Sequence, residues 1–199
     1  MYGRYGNLRR NNLNSLWAIL GANVVFYIIS IVLIYYVDED VFDYLALNRA
    51  WALSRPWTIV TSMFMHSGIL HIAINMWMLY MFGSYVIMLV GQSKFLLVYF
   101  VGGIVGSLLF ILLSPHTAVG ASGAVFALGA FLAVMMPKMR VIMFPLFIPV
   151  PLWGAILFGL IVASFIPGVA WQAHLGGAIA GAAFGFYFRR KQQSITFFR

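Results

Sequence analysis

The 199-residue chain contains no cysteine. Disulfides, thiol nucleophiles and cysteine-held metals are thereby excluded, and the redox character of the compartment is left open. Carboxylates are nearly as scarce. The only acidic residues are Asp38, Glu39, Asp40 and Asp43, all in one short stretch. No apolar segment therefore carries an acid, and several chemistries fall away. A paired-aspartate protease needs two carboxylates. A zinc site of the H-E-x-x-H type needs its glutamate, whereas nothing acidic lies between His66 and His71. Proton- or cation-coupled transport draws on intramembrane Asp or Glu. Charge as a whole is thin, at 8% of residues.

What fills the chain instead is apolar: 63% of residues are hydrophobic and the mean hydropathy is +0.97. A soluble domain cannot hide that much apolar surface, so the solvent is lipid. Six hydrophobic segments stand out, Leu16–Val37, Gly68–Val90, Phe95–Leu113, Ser122–Met136, Pro151–Ile166 and Ala173–Phe188. The first three reach the ~20 residues that cross ~30 Å of hydrocarbon, and the last three are shorter. The first segment is too long for a cleaved signal and is read as retained.

Basic residues orient this bundle. Arg4, Arg9, Arg10, Lys94, Lys138, Arg140, Arg189, Arg190, Lys191 and Arg199 fall on one side of six spans, and only Arg49 and Arg55 on the other. The positive-inside rule puts both termini in the cytoplasm. The net charge of +8 is then a consequence of topology and implies no nucleic-acid partner. The expected organisation is a cytoplasmic arm (1–15), one all-α six-helix membrane domain (16–188) and a basic cytoplasmic tail (189–199). The outer connection from Asp38 to Met65 is too long for a simple turn and is expected to be partly ordered at the interface, where Tyr44, Trp51 and Trp57 suit it. Pro137, Pro145, Pro149 and Pro151 break the chain between the fourth and fifth helices.

The polar groups left for chemistry are Ser122, His66, His71, Asn75, His116 and His174. Ser122 lies 14 residues before Met136, and His174 lies 14 before Phe188. Both therefore stand roughly 21 Å above the cytoplasmic boundary. Asn75, on a helix of opposite direction, is 15 residues from Val90 and reaches about the same level. The fourth helix offers Gly123, Ala127 and Ala130, and the sixth Ala173, Gly177, Gly181 and Gly185 at four-residue spacing, small-residue faces that permit close approach. A serine brought to a histidine in this way meets the need of a weak nucleophile for an adjacent base. Ser122 opens its helix, where N–H groups without intrahelical partners can hold an oxyanion, and His71 and Asn75 share one helical face as further donors. On the G-x-S-G stretch alone, helix packing is the commoner reading of Ser122, and both readings stand at this point. His116, in the "SPHTAVG" loop, reads as exposed.

Four stretches in this order resemble the rhomboid family of intramembrane serine proteases: "TSMFMHSGILHIAINMWMLYMFG" (61–83), "GASGAVF" (120–126), "FIPVPLW" (147–153) and "AHLGGAIAG" (173–181). The resemblance covers nearly the whole chain. It implies hydrolysis of peptide bonds within or beside transmembrane segments of single-pass substrates, in a lipid bilayer, with Ser122 as nucleophile and His174 as general base. It assigns the oxyanion site to His71, Asn75 and the Ser122 N–H. It makes Gly120, Gly123, Phe126 and His66 supporting residues, Phe126 packing on the His174 ring and His66 lining a water-filled cavity. The fifth helix and the loop around Trp171 would form the entrance for substrate. No cofactor and no metal are expected, the oligomeric state is left open, and the compact chain suits a prokaryotic plasma membrane. A non-proteolytic scaffold or dislocation factor on the same fold is the alternative. Two positions depart from the family pattern: Thr58 follows Trp57 where an arginine is usual, and Ile87 stands in place of an acid.

Overall fold

A computed structural model of the chain describes residues 12–143 and 147–197. Arg4, Arg9, Arg10, Pro145 and Arg199 lie outside the described residues. Each of the six apolar segments is helical. The first is α1 (Asn14–Tyr36), which ends where the acidic stretch cuts off its apolar run. The outer connection then folds as a short α2 (Val41–Leu45), β1 (Leu47–Asn48) and α3 (Thr58–Thr61), followed by a 3-10 turn over Ser62–Phe64. Next come α4 (Ile69–Val90) and α5 (Gln92–Leu113). Gly91 joins them with φ +87°, a backbone state that lets one residue end a helix and start its antiparallel neighbour. Among the described residues, α1, α4 and α5 are long and apolar enough to cross a membrane.

After β2 (Thr117–Ala118), α6 (Ser122–Met135) runs through the centre. It is buried without a break from Gly123 to Phe131 except at Phe126, as expected of a helix apolar on all sides. It packs against α4, α5, α7 (Leu152–Phe165) and α8 (Trp171–Phe197). Between α6 and α7 the proline-rich stretch is an antiparallel hairpin, β3 (Arg140–Met143) with β4 (Ile148–Pro151), in the register Arg140↔Pro151 to Met143↔Ile148.

The last helix is longer than its apolar run. It does not stop near Phe188 but runs through the basic residues to Phe197. The cause is that positive charge ends an apolar run without ending a helix, since Arg and Lys are good helix formers. The α6–α8 seam is built from small residues on both helices. A Cβ added to Gly177 would collide with the Gly123 carbonyl, and one on Gly181 with the Ala127 carbonyl. Gly185 faces Phe131 and Val134. The neighbouring glycine, Gly176, faces the Val105 carbonyl of α5, so one turn of α8 admits two helices at backbone distance. The core built around this contact includes Leu79, Phe82, Phe95, Tyr99, Leu128 and Phe131.

Candidate active site

Ser122 is the first residue of α6, and the chain reaches it under three constraints. The N–H of Gly120 donates to the Ser62 carbonyl of the 3-10 turn (2.8 Å). Thr117 and Ala118 pair with Asn48 and Leu47, and Asn48 Nδ2 donates to Thr117 Oγ1 at 2.8 Å. Gly120 itself has φ +126°, and a Cβ there would stand 2.8 Å from His71 Nε2. Only glycine fits that backbone and that gap together.

His174 enters from the first turn of α8, where the Gly177–Gly123 contact brings the two backbones together. Its Nε2 lies 2.8 Å from Ser122 Oγ. The Phe126 ring, one turn along α6, stacks on the imidazole at a centroid distance of 4.5 Å and an angle of 11°. His174 is 8% exposed, and its Nδ1 is buried with no hydrogen-bond partner among the described residues. That accords with the composition, because every side-chain carboxylate belongs to the 38–43 stretch.

His71 and Asn75 lie on α4 across from Ser122. The Ser67 N–H points to His71 Nδ1 (3.4 Å) and Ser67 Oγ lies 3.0 Å from the same atom. A neutral ring that accepts at Nδ1 carries its proton on Nε2, the atom turned toward Gly120. Asn75 Nδ2 donates to the His71 carbonyl at 2.9 Å, which fixes the amide and leaves its second hydrogen for another acceptor. Ser67 was not legible as part of the site; its sequence signal is a hydroxyl four residues ahead of a histidine.

These groups share a cavity of about 450 Å³. Its polar wall is Ser122, His174, His71 and Asn75 with Ser67 and Thr117, and its apolar lining includes Ile74, Met78, Val125, Phe126 and Phe42 of α2. His66 is not in this wall, contrary to the sequence reading. It is buried behind His71, edge-on at 5.1 Å, with Tyr27 on its other side. His116 is exposed beside a second hollow, on the outer side of the loop before α8. Among the described residues no group of three or more His, Cys, Asp or Glu is placed to hold a metal ion.

Both departures from the family pattern have a local account. Arg55, not position 58, ties the outer connection: its Nη1 donates to the Asp43 carbonyl (3.0 Å), and its guanidinium lies 5.4 Å from both the Tyr44 and Trp51 ring centres. Trp57 Nε1 donates to the Tyr44 carbonyl (2.9 Å), and Thr58 is buried with Oγ1 on the Arg55 carbonyl (2.7 Å). Ile87 is fully buried in the apolar core.

The chain belongs to the rhomboid family: the rhomboid domain matches residues 53–191. It is an integral membrane protein, as the family and its apolar helices require. Similar proteins include RHOMBOID-like protein 9, chloroplastic, of Arabidopsis thaliana, 37% identical over 134 residues that make up 66% of this chain and 31% of that protein. Rhomboid protease GluP of Bacillus subtilis is 34% identical over 135 residues, 67% of this chain and 26% of its own. Rhomboid-like protease 3 of Toxoplasma gondii is 30% identical over 188 residues, 87% and 69% of the two chains. The matched region is thus less than a third of the length of the first two relatives.

Proposed function

We propose that this protein is an intramembrane serine protease that cuts peptide bonds in or next to transmembrane segments of single-pass substrates, using Ser122 and His174 as a dyad. The observation that carries the proposal is the 2.8 Å approach of His174 Nε2 to Ser122 Oγ in a cavity that His71 and Asn75 also line. In this reading Ser122 Oγ attacks the scissile carbonyl carbon while His174 Nε2 takes the hydroxyl proton. The oxyanion is met by the Ser122 N–H, which has no intrahelical partner at a helix start, and by donors from His71 and Asn75. Collapse expels the amine, which takes the proton from His174, and water then hydrolyses the acyl-enzyme with His174 again as base. Phe126 fixes the plane of the imidazole, which is the orienting part of a triad acid's role and not its stabilisation of the imidazolium. A substrate helix must surrender its backbone hydrogen bonds at the cut, so segments weakened by small or helix-breaking residues are favoured.

The topology that goes with this reading has six crossings and both termini in the cytoplasm, which opens the cavity to the outer face. The direct chemical test is labelling by a fluorophosphonate probe with peptide mapping. Wild type is expected to carry the probe on Ser122, and Ser122→Ala to carry none. His174→Ala is expected to label ~10²–10⁴ times more slowly, the usual contribution of a positioned general base. An unlabelled wild type in a folded preparation would favour a client-binding scaffold without a covalent step.

A further inference from the structure

The β3–β4 hairpin has an odd composition for a connection between helices. From Val141 to Phe188 the sequence contains no Lys, Arg, Asp or Glu. Three of its apolar side chains are exposed: Ile142 is 66% exposed, Phe147 69% and Ile148 46%. The two helices it joins are both short. At 14 residues each, α6 and α7 are about 21 Å long, about 9 Å less than the hydrocarbon core. They also cover the same slab, since Gly159 of α7 faces the Phe126 ring and Gly129 of α6 faces Ile156. At the Ser122 end the missing length is occupied by the cavity and its loops. At the other end it falls to the hairpin, whose four-residue strands each extend about 13 Å.

Its backbone is suited to that position. An unpaired strand edge in a lipid environment costs heavily because its N–H groups have no acceptor. The Leu152 N–H donates to the Met139 carbonyl (2.9 Å), which fixes the alternation of the ladder. The N–H groups of Val150 and Ile148 therefore turn inward to β3, and the outward positions of β4 are 149 and 151. Both are proline, so the outer edge of β4 offers no N–H donor at all. One face of the hairpin packs on the core through Val141, with Met139 beside it. The opposite face carries Arg140, Ile142 and Pro149, and Lys138 is exposed just ahead of it.

We propose that the β3–β4 hairpin is an interfacial membrane element. It seats at the headgroup–acyl boundary of the leaflet away from Ser122, with Ile142, Phe147 and Ile148 among the acyl chains and Lys138 and Arg140 at the level of the lipid phosphates. Arg140 shares a face with Ile142, and Ile148 lies on the Val141 face, so the basic and apolar groups are separated along the hairpin, base from tip. The long basic side chains reach the phosphates from the base. One consequence is that the bilayer boundary lies below Met136, which brings Ser122 nearer the opposite surface than the helix count alone suggests.

The absence of cysteine makes the test clean, because a single introduced thiol has no background. Ile142→Cys and, separately, Ile148→Cys would be nitroxide-labelled and reconstituted in phosphatidylcholine–phosphatidylglycerol liposomes, and their collision rates with oxygen and with a water-soluble nickel chelate measured. Asp40→Cys serves as the aqueous reference and Ile161→Cys, on the exposed face of α7, as the lipid reference. The expected result is a several-fold lower nickel collision rate than at Asp40, with an oxygen rate close to that at Ile161. Nickel access equal to Asp40 would place the hairpin in water and overturn the proposal. Low access to both reagents would overturn it too, by showing a protein surface, from a second copy or another partner, over the hairpin. Two labelled positions keep the result readable if one variant misfolds.

Discussion

The distance between Ser122 and His174 is set by residues that take no part in any proton transfer. Gly123 and Gly177 let the helices approach, Gly120 lets the chain turn under His71, and Phe126 holds the imidazole plane. Gly120 is the most exposed to test, because it answers to two constraints at once. Gly120→Ala places a side chain at φ +126° and a methyl group against His71 Nε2. The expected cost is about 1–3 kcal/mol of stability, read by thermal unfolding in detergent. Turnover should fall further than stability does, through kcat and not KM, because His71 is displaced from the proposed oxyanion site. A variant with wild-type kcat would show that His71 has no such role. The sequence made Ser122, His174, His71 and Asn75 legible through depth and spacing. It misplaced His66, because spacing reports the helix face of a residue and not which wall of a cavity it joins.

At the scale of elements, α8 governs the assembly. Its glycines touch backbone on both α5 and α6, so the helix pair has no slack to absorb a side chain. Gly181→Val drives a branched side chain into the Ala127 carbonyl, and the expected loss is about 1–3 kcal/mol in unfolding experiments. Gly154→Val, on α7 where nothing lies within 4 Å of an added Cβ, is expected to stay within about 0.5 kcal/mol of wild type. Equal losses at the two sites would mean that backbone contact does not set the stability of the α6–α8 pair. The apolar segments read well from sequence because a 20-residue hydrophobic run has few other uses. The hairpin did not. Its prolines resemble chain breaks, and a strand apolar on both faces shows no alternation. The outer connection was legible as partly ordered but not in its elements, since α2, β1 and α3 are too short to carry a period.

At the scale of the whole molecule, the ends of the bundle differ in charge and in chemistry. The acidic stretch, Arg49, Arg55 and the candidate site share one end, and the described basic residues from Lys94 to Lys191 share the other. The arrangement sinks Ser122 and His174 below one surface while the opposite end carries the positive charge. The central claim is that this geometry cuts substrate. The measurement that tests it most directly is cleavage of a tagged single-pass substrate in proteoliposomes, wild type beside Ser122→Ala at matched folding and orientation. Under the proposed mechanism wild type yields a discrete fragment and Ser122→Ala none. Cleavage by both variants, or by neither across several helix-weakened substrates, would contradict it.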